Sequence, residues 1–190
     1  MSRLVEVRVF RNPVITVLAV LAVLLFVGAP AVADPPVSGE LHCVVVVVGQ
    51  RASGELIVSA PDCYSSFQEA MAVASGGVIS AEAVPSGEEL FADPEARSLL
   101  SSFTLGIHFD GLNGSGSSIS VVGSSCTGGY WNTGASWANR VSSSWNGCYR
   151  LRHHDGPNRT GTYADTVGSG IHNLPWWMNN RTESVSYWGS

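Results

Sequence analysis

The chain has 190 residues, with ten arginines, no lysine and fifteen acidic residues, which gives a formal net charge of −5. Beyond residue 33, seven arginines face fourteen acidic residues, so this part carries a net charge of −7 (7 minus 14). A surface of that sign repels nucleic acid and anionic membranes, and we exclude both as partners.

The first 33 residues have the pattern of a secretory signal peptide. Arg3, Arg8 and Arg11 precede an apolar run at 14–27, and the small residues of Ala31-Val32-Ala33 suit signal peptidase. The apolar run is too short to span a bilayer comfortably. We therefore expect a secreted protein whose mature chain begins at Asp34 and has no membrane contact.

The region from 34 to 103 has the mixed pattern of a small α+β unit. A valine-rich run at 43–48 and the apolar stretch 56–58 flank a turn-like segment, which predicts a hairpin of buried strands. Ser66 and Glu69 form a capping box ahead of apolar residues at helical spacing, which predicts a short helix ending at Gly76-Gly77. We also expect a brief strand at 78–79 and helical turns after Ser86 and after Asp93-Pro94.

Four cysteines follow the predicted signal peptide, and an even number in an exported protein indicates two disulfides. Three connectivities exist, of which we favour Cys43–Cys63 and Cys126–Cys148, because each pair lies within one compositional region. Each bridge would close a loop of about 20 residues and stabilise the fold by roughly 3 kcal/mol. The spacing fits no common zinc site.

From 104 to 190 the chain is rich in Gly, Ser, Asn and Trp, which predicts short strands and many turns in an all-β module. The stretches 108–124 and 153–169 agree at eight of seventeen positions, at an offset of 45. The stretches 139–143 and 180–184 share Asn-Arg and a final Ser, at an offset of 41. The region is therefore a duplicated unit of about forty residues.

Each copy places an aromatic residue seven positions before a glycine, as in Phe109 with Gly116 and His154 with Gly161. In a hairpin that folds back on itself, an aromatic ring packs over the turn and the glycine adopts a positive φ. The histidines and aspartates of these stretches recur because the hairpin is duplicated, so we interpret them as structural. No catalytic or phosphate-binding motif is present in the sequence, and we expect a non-enzymatic protein.

These features resemble the βγ-crystallin superfamily, whose Greek-key signature is the same aromatic and glycine pair, over about residues 105–188. The mature chain also resembles exported actinobacterial proteins grouped with peptidase inhibitor family I36, in the stretches 63–71, 137–143 and 178–184. The resemblance implies a mainly β fold. A two-Greek-key βγ-crystallin-like sandwich at 104–190 would follow the small α+β region at 34–103.

The resemblance further implies calcium binding. Microbial βγ-crystallins often bind calcium through a segment that reads Asn/Asp, Asn/Asp, any, any, Ser/Thr, Ser, and this chain has two versions, 138–143 and 179–184. The first has Ala138 at the leading position, and the second has Glu183 in place of the hydroxyl. Neutral Asn side chains attract a dication poorly, so we expect low affinity. The residues assigned to these degenerate sites are Asn139, Arg140, Ser142, Asn180, Arg181 and Glu183.

The leading hypothesis for function is a secreted binding protein that inhibits an extracellular peptidase, as the resemblance to family I36 implies. Tryptophans are frequent anchors of interfaces, and the expected partner-binding residues are Trp131, Trp176 and Trp177. Two alternatives stay open. One is a calcium-binding structural or stress module, and the other is a cell-envelope or carbohydrate-binding protein.

Overall fold

The computed structural model describes residues 39–81 and 91–189. These residues belong to one compact unit, Pro35–Ser190. The predicted signal peptide and the helical turn predicted after Ser86 lie outside the described residues. Within them, no helix is long and apolar enough to cross a membrane.

The described residues form eleven strands, three α-helices and two short 3-10 turns. The strands are β1 His42–Gln50, β2 Leu56–Val58, β3 Asp62–Tyr64, β4 Thr104–Phe109, β5 Ser118–Val122, β6 Thr127–Asn132, β7 Ser143–Asn146, β8 Arg150–His154, β9 Tyr163–Val167, β10 Gly170–Asn173 and β11 Ser184–Trp188. The helices are α1 Phe67–Ala74, α2 Pro94–Phe103 and α3 Gly134–Trp137, and the 3-10 turns are Leu112–Gly114 and Pro157–Arg159.

The duplicated region folds as two Greek keys that exchange one strand each. The larger sheet has the order β10-β7-β4-β5-β1-β2, and the smaller sheet has the order β6-β11-β8-β9. In the first copy, β7 returns beside β4 while β6 crosses to the smaller sheet. In the second copy, β11 returns beside β8 while β10 crosses to the larger sheet. The strand order confirms the predicted mainly β, two-Greek-key sandwich.

Most of the local predictions before residue 104 are confirmed. β1 and β2 form the antiparallel hairpin, and the Ser66 side chain accepts a hydrogen bond from the Glu69 N–H at the start of α1. The turn predicted after Asp93 is the start of α2. The strand predicted at 78–79 is wrong, because these residues follow the end of α1 as a turn in which the Ile79 N–H donates to Ser75 Oγ.

Both predicted disulfides are confirmed. Cys43 on β1 is bonded to Cys63 on β3, and the two residues are direct partners in the antiparallel register. Cys126 is bonded to Cys148, which joins the segment before β6 to the segment before β8. Each bridge thus closes a loop within its own region of the chain, with sequence separations of 20 and 22 residues.

The region before residue 104 shares the larger sheet with the Greek keys. β1 lies parallel to β5, with Val44 opposite Ser120, and β3 pairs with the same part of β1. The expectation that both hairpin strands are buried is wrong in part, since Val46 and Val48 are exposed where β1 runs past the helices. The first half of β1 is an interior strand of the sheet.

Two apolar cores lie on opposite faces of the larger sheet. The inner core fills the space between the two sheets and includes Val45, Ile119, Leu151, Val185 and Tyr187. The outer core lies between the larger sheet and the helices and includes Phe67, Met71, Leu100, Ile107, Phe109 and Trp145. The described residues therefore form three layers: the helices, the larger sheet in the middle, and the smaller sheet.

The two Greek keys differ on their outward faces, and this difference explains the helical layer. In the first copy, Ile107 lies opposite Trp145 on the neighbouring strand. In the second copy, the equivalent of Ile107 is Arg152, which lies opposite Ser186. The first pair is fully or almost fully buried under the helical layer, whereas Arg152 is half-buried and forms an ion pair with Asp165. The larger sheet has an apolar outer face that needs a cover, and the smaller sheet does not.

We expect the cover to contribute strongly to stability. Phe67 is 8% exposed and packs against Phe109 at a ring-centroid distance of 6.1 Å, so Phe67→Ala should lower the free energy of unfolding by about 3–5 kcal/mol. Val73 lies on the solvent side of the same helix at 49% exposure. Val73→Ala should therefore change the free energy of unfolding by less than about 0.5 kcal/mol. Urea denaturation of both variants measures the difference, and equal effects would contradict the layered core.

Candidate functional site

The repeated Asp-Gly-x-Asn stretches form two equivalent folded corners. Asn113 and Asn158 adopt positive φ values of 57° and 54° within the 3-10 turns. Gly116 and Gly161 also have positive φ, and a Cβ at either position would collide with the Oδ1 atom of Asp110 or Asp155. The structure therefore confirms glycine as the residue that each corner requires.

Two serines, which sequence reasoning missed, lock these corners to the sheets. Ser143 Oγ donates to the Gly111 carbonyl at 2.7 Å and accepts from the Gly114 N–H at 3.0 Å. Ser184 Oγ makes the matching pair of bonds with Gly156 and Arg159. The sequence did contain a sign of this role, because Ser143 and Ser184 are the final serine that both Asn-Arg stretches share.

The predicted calcium segments face each other in a crossed arrangement. The Asn139 side-chain amide donates to Glu183 Oε1 at 3.2 Å, and Ser142 Oγ donates to Asn180 Oδ1 at 3.0 Å. The two backbones also exchange hydrogen bonds, since the N–H of Asn139 donates to the Thr182 carbonyl at 2.9 Å and that of Asn180 to the Val141 carbonyl at 2.9 Å. Each site thus takes one residue from each copy.

The two asparagines share a backbone conformation that fits a ligand-presenting turn. Asn139 has φ 61° and Asn180 has φ 56°, in the left-handed region that asparagine tolerates best among residues with a Cβ. This conformation reverses the chain, so that the side chain of each asparagine meets the opposite segment. The duplication therefore reproduces the turn as well as the residue.

The predicted site residues Arg140 and Arg181 point their side chains back to the corners. Arg140 pairs with Asp110 at 2.6 Å, and Arg181 pairs with Asp155 at 2.9 Å. These ion pairs are partly exposed, so each contributes roughly 0–1 kcal/mol. Their role is to tie each polar segment to the corner of its own copy.

The donor atoms of the crossed site are amide, hydroxyl, carboxylate and carbonyl oxygens. The single hydroxyl hydrogen of Ser142 is shared between Asn180 Oδ1 and the Asp110 carbonyl, which lies 2.8 Å from Oγ, and Glu183 supplies a single carboxylate. The buried oxygens Asn179 Oδ1 and Thr182 Oγ1 have no hydrogen-bond partner. Oxygen donors of this kind suit a hard cation. Among the described residues, no group of three or more His, Cys, Asp or Glu side chains is placed to hold a metal ion.

The repeated histidines lie at the centre of the sandwich. His108 bonds to Ser144 Oγ at 3.1 Å and to the Tyr187 hydroxyl at 3.0 Å, and His153 bonds to the same serine at 3.2 Å. Burial lowers the pKa of His108 to about 3, and burial lowers that of His153 well below its usual value. Both rings are therefore neutral parts of a polar network in the core, in agreement with the structural interpretation.

The three predicted partner-binding tryptophans occupy different environments. Trp131 lies on β6 at 4% exposure and stacks on His108 with ring centroids 5.7 Å apart, so it is a core residue that a partner does not reach. Trp177 packs partly against the inner core. Trp176 is 88% exposed and is accessible to a partner.

Comparison with known proteins finds similarity only among solved structures, since neither a family model nor a curated protein matches the chain. The similar structures include three mutants of a betagamma-crystallin domain from Clostridium beijerinckii. A double threonine-to-serine mutant has a TM-score of 0.37 and 15% identity, covering 45% of this chain and 97% of that domain. A tryptophan-to-aspartate mutant has a TM-score of 0.38 and 14% identity, covering 45% and 99%. A threonine-to-arginine mutant has a TM-score of 0.37 and 14% identity, covering 45% and 98%.

The buried histidines predict that acid destabilises the protein. In the unfolded chain a histidine takes up a proton near pH 6.5, whereas His108 and His153 stay neutral in the fold, so the unfolded state binds more protons below that pH. Between pH 7.5 and pH 5, each ring should lower the free energy of unfolding by about 2 kcal/mol.

Denaturation curves recorded at several pH values in this range measure how the free energy of unfolding changes with pH. His153→Gln removes one of the two buried rings. The part of the pH dependence of the free energy of unfolding that His108 and His153 cause together should therefore fall by about half. A free energy of unfolding that stays constant from pH 7.5 to pH 5 would contradict the neutral core network.

Proposed function

We propose that this protein is a secreted, non-enzymatic β-sandwich module that binds calcium at the crossed polar segments and uses the ion to stabilise its fold. The observation that carries this proposal is the crossed pairing of Asn139 with Glu183 and of Ser142 with Asn180. Each pair joins the two Greek keys, so an ion at this position would link both copies.

The oxygen atoms needed for such an ion are already close together. The Ser142 and Asn180 oxygens are 3.0 Å apart, a separation compatible with two ligands that share one calcium ion at 2.3–2.6 Å from each. In the other pair, a half-turn of the Asn139 amide brings its oxygen toward the Glu183 carboxylate. When bound, calcium supplies positive charge that neutralises Glu183 and replaces these direct hydrogen bonds.

The two pairs differ in charge, and this difference predicts unequal affinity. The Asn139 and Glu183 pair contains a carboxylate, whereas the Ser142 and Asn180 pair has only neutral side chains. A carboxylate attracts a dication far more strongly than an amide or a hydroxyl does. We therefore assign the stronger site to Asn139 and Glu183.

The proposed compartment follows from the disulfides and the predicted signal peptide. Two disulfides are typical of a protein in an oxidising environment outside the cytosol. Calcium is plentiful there, so weak sites are useful in extracellular modules. Inhibition of an extracellular peptidase, which rests on the resemblance to family I36, stays a prediction.

Calcium should raise the melting temperature. If the dissociation constant is about 10⁻⁴–10⁻³ M, as in extracellular modules, about 10 mM calcium should stabilise the folded state by about 1.4–2.7 kcal/mol relative to EDTA. Differential scanning calorimetry of the mature protein in the two buffers measures this shift.

Glu183→Gln should remove most of the calcium-dependent shift, because it deletes the carboxylate of the stronger site. Glu69→Gln is the matched control, since Glu69 lies on α1 on the far side of the larger sheet and should leave the shift unchanged. Identical melting temperatures of the unmodified protein in calcium and in EDTA would overturn the proposal.

A further inference from the structure

The Cys43–Cys63 disulfide joins a buried residue to an exposed one. Cys43 on β1 belongs to the inner core and is 6% exposed, whereas Cys63 on β3 is exposed. Among the described residues, β3 pairs with β1 and with no other strand, so the Cys63 side of the bridge lies at an edge of the larger sheet. The two ends of this bridge therefore differ in their access to solvent.

Both cysteines line a cleft with a volume of about 450 Å³, which we call the disulfide cleft. Its lining comes from the chain before α1, including Leu41, and from the first Greek key, including Trp137. Leu41 is 51% exposed, so the cleft opens to solvent. Pockets that hold small organic molecules have volumes in this range. A small reagent in solution can therefore reach the exposed end of the bridge.

The charge of the disulfide cleft does not repel a thiolate. Arg140 is the charged residue among the described residues that line it, and its guanidinium pairs with Asp110 at 2.6 Å. On β3, successive side chains alternate between the two faces of the strand, so Asp62 points to the face opposite that of Cys63. An anionic nucleophile therefore meets no carboxylate among the described lining residues of the cleft.

The second disulfide provides an internal comparison. Cys148 is 2% exposed, and both Cys148 and Cys126 pack in or against the inner core. The Cys126 carbonyl accepts the Gly189 N–H at 2.6 Å, so the chain that follows β11 lies beside this bridge. The rate of thiol–disulfide exchange depends on access to the attacked sulfur. The two bridges of one folded molecule should therefore react at different rates.

We infer that the Cys43–Cys63 disulfide is a site of thiol–disulfide exchange with a small thiol that enters the disulfide cleft. The thiolate of the reagent attacks the Cys63 sulfur and forms a mixed disulfide, while Cys43 leaves as a thiolate and takes a proton from water. If the reagent is a dithiol, its second thiolate attacks the sulfur of the reagent in this mixed disulfide, and Cys63 leaves in turn. The dithiol is oxidised to a disulfide, and the protein gains two electrons and two protons.

Opening this bridge removes the covalent support of β3, which leads through Ser65 and Ser66 into α1. Without the bridge, β3 is held to β1 through the pairing with His42–Val44 alone. β1 itself keeps its parallel pairing with β5 and its hairpin with β2. The reduced protein therefore retains its fold at a lower stability, and exchange at this site controls how firmly the helical layer is attached.

The experiment treats the folded mature protein with dithiothreitol, blocks free thiols with iodoacetamide at successive times and locates the blocked cysteines by mass spectrometry. Cys43 and Cys63 should be reduced at least about tenfold faster than Cys126 and Cys148. In guanidinium chloride, where the chain is unfolded, the two bridges should be reduced at similar rates, which serves as the control. Glutathione, a monothiol, should be found attached to Cys63 rather than to Cys43.

The double variant Cys43→Ser with Cys63→Ser should fold and melt roughly 6–12 °C below the unmodified protein, because it lacks the same loop closure as the reduced form. The matched control, Cys126→Ser with Cys148→Ser, should leave the rate of reduction at Cys43 and Cys63 unchanged. Equal rates at both bridges of the folded protein would overturn the inference, as would faster reduction of Cys126–Cys148 or no reduction of Cys43–Cys63. Failure of the first double variant to fold would also contradict it.

Discussion

The apolar outer face of the larger sheet is the constraint on which the remaining structure depends. Ile107, Phe109 and Trp145 face away from the sandwich core and are buried under α1, α2 and the ring of Phe91. Burial of three such side chains contributes several kcal/mol, a large part of the net stability of a domain of this size. The region before residue 104 therefore acts as a structural layer: it adds β1 to the sheet edge at β5 and places α1 over it.

The duplication makes each Greek key a control for the other. Positions that agree, such as His108 and His153 or Arg140 and Arg181, make the same kind of contact in both copies and belong to the scaffold. Positions that differ show where each copy has acquired its own role. Ile107 against Arg152 explains the helical layer, Ser142 against Glu183 sets the charge of the proposed calcium sites, and Ala135 against Trp176 gives the second copy an exposed indole.

The sequence predicted features that are encoded locally or by repetition. The Ser66 cap, both disulfide pairings and the two Greek keys are confirmed. Each of them corresponds to a pattern visible in the sequence: a capping motif, the cysteine spacing and an internal repeat. The parallel pairing of β1 with β5 and the crossed contacts between the predicted calcium segments join residues about 40 to 80 positions apart, and no local pattern specifies such partners. The burial of Trp131 could not be predicted for the same reason. Its glycine-rich segment has the composition of an exposed loop, but its strand neighbours make it a buried strand.

The central claim is that the helical layer, β1 and the two Greek keys unfold as one cooperative unit. Native-state hydrogen exchange tests it most directly, through the amide protons of β1 that bond to β5 compared with those of β4 and β11. We predict the same opening free energy for all three strands, equal to that of global unfolding. Exchange of β1 and α1 through a separate opening of much lower free energy would contradict the claim.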